Sequence, residues 1–225
     1  MWKQIITLFR KAGPCQEAFD EALVMLKKSH GMFHDAVASL HDKGHLVDDI
    51  YERDRQLNEY ERSVRRKIVT HFSVSQRPDV NMGLILTAIV VDIERVGDYA
   101  KNISELAVGL EGPLDTMELA DHVREFEEIL DGMFSDLVVA LEKSDDAKAR
   151  SIMDRYKYLS DTVEEDLRLL REGKALAGNS ARAVLTALYL RYLKRMAAHL
   201  KNVATSVVNP YHRIGFREKA ESEAR

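Results

Sequence analysis

Glu94 and Asp98 stand four residues apart in an otherwise helix-favouring stretch. On an α-helix that spacing corresponds to a rotation of about 40° and one turn of rise, so both carboxylates project from one face. Like charges so placed weaken a helix by roughly a few tenths of a kcal/mol, a cost that a cation between them removes. A second oxygen-rich stripe lies upstream: Asp54, Asn58 and Glu61, spaced by four and three, fall within about 60° of one another on a helix. If the two segments form antiparallel helices, the stripes face each other. All-oxygen donors suit hard cations such as Mg²⁺, Mn²⁺, Ca²⁺ or iron, with zinc less natural. The competing reading is a solvated face neutralised by Arg53, Arg55, Arg62 and Arg95. Between the two acids sits Gly97, which costs a helix interior about 1 kcal/mol relative to alanine and is therefore expected where another helix comes close.

Other reactive residues form weaker patterns. None of the eight histidines follows a glutamate by three residues, so the Glu-x-x-His pairs of a di-iron bundle are missing. His30, His34, His41 and His45 gather near one helix end; adventitious metal binding is one reading of them, and exposed polar residues the favoured one. His71 and His199 read as helix-end, surface or packing residues. Met25, Met32, Met82, Met133 and Met196 read as core filling. With no phosphate-cradling glycine loop and no serine or cysteine nucleophile arrangement, the expectation is that the chain is not an enzyme.

The elements that must position these residues are all helical. Apolar residues recur at helical spacing, as in Phe19, Leu23, Leu26 and again in Phe126, Ile129, Leu130, Phe134, without strand-like alternation. The breakers Gly13-Pro14, Lys43-Gly44-His45, Ser75 to Asp79, Gly109 to Pro113 and Asn209-Pro210 mark off six helices. These are expected at about 14–42, 47–72, 79–108, 115–142, 145–172 and 180–208. The two halves repeat. Gly31-Met32-Phe33 recurs as Gly132-Met133-Phe134, Asp54-Arg55 as Asp154-Arg155, and Lys101-Asn102 as Lys201-Asn202, at offsets of 100 or 101. The expected architecture is therefore all-α, two tandem three-helix bundles: a short amphipathic segment 1–13, a first repeat 14–110, a second repeat 113–208, and a tail 209–225.

Composition narrows the partners. Thirty-seven acidic against 33 basic residues give a net charge of −4, which argues against nucleic acid, whose binding rests on neutralising phosphates. A single cysteine, Cys15, excludes an internal disulfide framework. The longest apolar run, Met82 to Val91, is half the length of a membrane span, and no secretory signal is visible, so a cytoplasmic protein is expected. Trp2, Ile5, Ile6 and Phe9 with Lys3, Arg10 and Lys11 form a basic amphipathic segment, suited to docking on the bundle or to peripheral contact with a membrane or transporter.

The stretch Asp92 to Ile103, reading Asp-x-Glu-Arg-x-Gly-Asp-x-Ala-x-Asn-Ile, resembles the signature helix of the PhoU family, and Asp54-x3-Asn58-x2-Glu61 is similar to that family's second-helix motif. The resemblance spans about residues 14 to 208. It implies an intracellular regulator of phosphate homeostasis, acting on a phosphate transporter or its cytoplasmic subunit and on a sensor histidine kinase. Separately, the exposed faces of the helical bundles lead to the expectation of a homodimer. The resemblance also implies a metal on the Glu94/Asp98 face, completed by Asp54, Asn58 and Glu61. The readings that compete with it are a metal-dependent hydrolase or oxidase and a metal-free interaction module. The second half departs from the pattern: Glu94 aligns with Lys194, Asp98 with Ala198 and Asn58 with Tyr158, while Asp154 and Asp161 persist as weaker candidates. One metal site is expected in the first half and an altered or absent one in the second, where Lys194 replaces a cation by pairing with a carboxylate.

Overall fold

The structure, a computed structural model, describes residues 13–43 and 45–218. Among these residues there is no strand, and six long helices carry the fold. They are α1 Pro14–Ala38, α2 Ile50–Val74, α3 Val80–Glu105, α4 Ala120–Lys143, α5 Asp146–Arg171 and α6 Ser180–Val208. Pro14 opens α1 at a position that needs no N–H donor. Side chains cap three others: Asp79 accepts from the Met82 amide, Asp145 from Lys148 and Asn179 from Arg182, each at 3.0 Å.

Helix ends differ from the expected ones where tertiary contacts intervene. After Ala38 the chain widens into a π-turn, Ser39–Lys43. Helix α2 begins three residues later than expected, because the Val47 amide donates to Ser104 Oγ (2.9 Å) instead of entering a helix. Helix α3 ends at Glu105, and the amides of Leu106, Ala107 and Val108 tighten onto carbonyls three residues back. Helix α4 starts at Ala120, after Asp115 accepts from the Met117 amide (2.9 Å) and a short 3₁₀ turn, Met117–Leu119. The expected segment 1–13 falls outside the described residues except for Gly13, as does the tail from 219 onward.

Helices α1–α3 form one three-helix bundle and α4–α6 a second, joined mainly through α3 against α6, with α1 against α4. The buried apolar residues of both halves form one cluster. Phe33, Phe126, Phe134 and Tyr189 are among its largest members, and Met25, Met32, Met82, Met133 and Met196 are all fully buried within it, as expected of core filling. Gly97 also meets its expectation. A methyl group placed on it would lie 2.0 Å from Leu57 Cδ1 on α2 and 3.6 Å from Ser29 Oγ on α1, so its bare backbone lets three helices converge beside the acidic face.

Candidate functional site

Helices α2 and α3 run antiparallel: Asp54, near the start of α2, meets Lys101 near the end of α3, while Phe72 at the end of α2 packs on Gly83 at the start of α3. The two oxygen-rich stripes therefore face one another. Asp54, Glu61, Glu94 and Asp98 all stand in the seam, each side chain less than about a quarter exposed. Asn58 lies there too, with its Nδ2 donating to the Asp54 carbonyl (3.0 Å). That bond spends the amide nitrogen on its own helix and leaves the amide oxygen as the atom available to a ligand.

Lys101 organises this face. Its Nζ lies 2.9 Å from Asp54 Oδ1 and 3.0 Å from Asp98 Oδ1, bridging α2 and α3. Arg95 reaches Asp98 Oδ2 at 3.0 Å and the nearer edge of Glu94 at 3.5 Å. Arg65, one turn beyond Glu61, pairs with it at 2.7 Å. Of the arginines named from sequence, only Arg95 engages the face: Arg53 turns to Asp35 and Asp49, and Arg55 to Glu52. Lys101 carries the neutralising role that the arginines were expected to fill, and its signal was present in the spacing. It follows Asp98 by three and Glu94 by seven, placing it on their face.

Neutralisation is incomplete at Glu94. Burial first, then the Asp98 carboxylate, pushes its pKa up to about 7, with Arg95 opposing the rise and Glu61 and Asp54 adding to it. Burial also raises Asp54, against the pull of Lys101 and with a further rise from Asp98. An all-oxygen seam that holds a carboxylate poised between charged and neutral is chemically short of positive charge. Among the described residues no three of its acidic side chains bring their oxygens within 4.8 Å of one another.

The second half offers no counterpart to this seam. Asp154 is exposed, and Asp161 is exposed and paired with Lys157 on its own helix at 3.0 Å. Lys194, where the first half has Glu94, pairs with Glu164 across to α5, the carboxylate pairing expected of a lysine there. Tyr158, in the place of Asn58, donates to Glu125 on α4 at 3.0 Å. The sequence reading gave no role to Asp166, whose fully buried carboxylate is held by His122 Nδ1 at 3.0 Å.

Comparisons with known proteins agree across both halves. The PhoU domain family model matches residues 22–107 and again 123–207. The phosphate-specific transport system accessory protein PhoU homolog of Pseudomonas putida is 28% identical over 187 residues, covering 78% of this chain and 70% of that protein. Its namesake in Aquifex aeolicus is 26% identical over 185 residues, covering 80% and 75%. Among solved structures, the crystal structure of PhoU from Pseudomonas aeruginosa superposes with a TM-score of 0.71 at 22% identity, covering 87% of this chain and 95% of that one. The phosphate transport system regulatory protein PhoU from Streptococcus pneumoniae superposes with a TM-score of 0.62 at 16% identity, covering 92% and 95%.

Proposed function

The chain belongs to the PhoU family, and from that premise we propose that it is an accessory regulator of phosphate transport. In this reading it is a helical adaptor that acts on a phosphate transporter, or on the sensor kinase coupled to one, from the cytoplasmic side. What carries the reading is that the family match runs through both repeats, 22–107 and 123–207, so the whole doubled scaffold is retained and not one helical motif. No helix among the described residues is long and apolar enough to cross a membrane, which suits a protein that docks on a transporter. A single core shared by both halves suits one that works as a stiff body, and assembly into a dimer belongs to the same proposal.

The same proposal extends to a cation on the acidic seam, whose carboxylates would have to draw closer than they stand, since no three of them bring their oxygens within 4.8 Å of one another. Its donors are all oxygen, they come from two helices, and the nearest counter-charge to Glu94, that of Arg95, stands at 3.5 Å. Asp54, Asn58, Glu61, Glu94 and Asp98 would hold the ion, of a hard divalent or trivalent kind. A cation there would supply positive charge beside Glu94, favouring its ionised form, and its ligands would come from both α2 and α3. Lys101, between Asp54 and Asp98, and Arg95 on Asp98 already bind the seam, and an ion would have to share it with them.

The proposal is tested in the organism that carries the gene. Removing the gene is expected to raise uptake of radiolabelled phosphate in phosphate-replete medium, and restoring it is expected to reverse the rise. Uptake that is indifferent to the gene in both phosphate-rich and phosphate-poor medium would sink the regulatory reading.

A further inference from the structure

A second cluster of ligand-type side chains, sharing no residue with the acidic seam, lies where α1 of the first repeat meets α4 of the second. His30 and His34 are four apart on α1 and present their rings on one face, with centroids 4.5 Å apart. Opposite them on α4 is Asp131. Its Oδ1 lies 2.7 Å from His30 Nε2 and 2.9 Å from His34 Nε2. Among the described residues, these three are the one group of three or more histidine, cysteine or acidic side chains whose ligand atoms all fall within 4.8 Å of one another.

We propose that His30, His34 and Asp131 form a binding site for a first-row divalent transition metal, Zn²⁺ above all, that staples α1 of the first repeat to α4 of the second. Two imidazoles and a carboxylate are borderline donors that favour Zn²⁺ and its neighbours over Mg²⁺ or Ca²⁺. The helical spacing of the pair makes it a chelate, and both Nε2 atoms already converge on a single oxygen. His30 is held in place: its ring stacks on Phe134 at 4.5 Å with an interplanar angle of 10°. His34 and Asp131 are about half exposed, at 58% and 46%, so an ion reaches the site from solvent and keeps at least one position for water. Three protein ligands with an open position is a recognised zinc arrangement.

The repeat explains how such a site arises. At the offset of 101, His30 and Asp131 are equivalent positions, as are Phe33 and Phe134, whose rings stack across the same contact at 5.7 Å. Equivalent residues touch where the two halves are related by a local two-fold axis. A ligand at position 30 of one repeat is thereby brought against the ligand at the same position of the other. His34 then adds its donor from the next turn, where the second repeat has Ser135.

The experiment is calorimetric titration of chelator-stripped full-length protein with ZnCl₂, alongside thermal melts with and without the metal. The unmodified protein is expected to bind one Zn²⁺ per chain at this cluster and to melt higher with it, as mass action requires of an ion that binds the folded state. His34→Ala and Asp131→Asn are each expected to weaken binding by about 10-fold or more and to abolish the rise in melting temperature. Both residues are half exposed, so the variants keep the fold, which circular dichroism checks. The Glu94→Ala/Asp98→Ala variant is expected to keep this binding, which separates it from the acidic seam. Equal Zn²⁺ affinity in His34→Ala and the unmodified protein would overturn the site. An Asp131→Asn variant with undiminished affinity would overturn the staple between repeats.

Discussion

Glu94 is the residue on which the chemistry of the first repeat turns. Its carboxylate is buried enough to lose water and is surrounded by three other acids, with Arg95 no nearer than 3.5 Å, and burial with Asp98 lifts it to about 7. The sequence alone placed Glu94 with Asp98 on one helix face and Asp54, Asn58 and Glu61 on another, because helical geometry converts spacing into direction, and it made their meeting depend on antiparallel packing. It did not show which cation would answer them. That depends on side-chain reach across a helix pair, and Lys101 reaches both Asp54 and Asp98 while Arg53 and Arg55 turn away. Two readings of the seam then make opposite forecasts. If Lys101 and Arg95 suffice, the seam takes up no ion; if Glu94 marks missing charge, it does. We expect the second. Protein purified without chelators, in a His34→Ala/Asp131→Asn background that weakens the histidine cluster equally in both samples, should carry a hard metal ion by elemental analysis. The Glu94→Ala/Asp98→Ala variant in that background should carry less by about one ion per chain. Equal metal content in the two would defeat the assignment.

At the scale of elements, Gly97 shows how a local penalty serves packing. A glycine in a helix interior weakens that helix, yet here any larger side chain collides with Leu57, which is itself almost wholly buried. In Gly97→Val the gain in helix propensity is under about 1 kcal/mol, and overpacking a filled interior costs about 1–3 kcal/mol. The net is a loss. Urea unfolding should show a lower midpoint with an unchanged slope; a midpoint equal to or above that of the unmodified protein would mean that α2 and α3 separate more easily than this packing implies. The same contacts explain what could be read in advance about the helices. Six helices and a bare Gly97 at a close approach followed from periodicity and breakers. The start of α2 did not, because a distant partner, Ser104 Oγ, takes the Val47 amide, and neither did the end of α3 or the start of α4, where the backbone tightens into three-residue turns.

At the scale of the whole molecule, the repeat is visible as contact between equivalents. Tyr99 and His199, offset by 100, stack at 5.7 Å between α3 and α6, and His199 Nδ1 meets Asp92 at 2.7 Å. The other side of this contact between halves is polar as well. Glu127 on α4 is met by His41 from the π-turn that follows α1, at 2.7 Å, and by the hydroxyl of the fully buried Tyr189 on α6. This junction predicts a pH dependence. The hydrogen bond to Glu127 raises His41 above its ordinary value of 6.5 against the effect of burial, with the charges of Glu127 and Asp42 adding to the rise and that of Arg124 opposing it. A histidine whose folded pKa is raised binds its proton more tightly in the folded state. Its stabilising contribution is therefore complete below about 6.5 and is lost as pH rises through the elevated folded value. Comparing the protein with His41→Asn removes the contributions of other titrating groups, Glu94 among them. Thermal melts from about pH 5 to about pH 8 should show the unmodified protein ahead of the variant by the widest margin at the acid end, with the gap narrowing as pH rises. A gap that stays constant or widens toward alkaline pH would mean that Glu127 is held by Tyr189 alone and that His41 does not join the halves through charge.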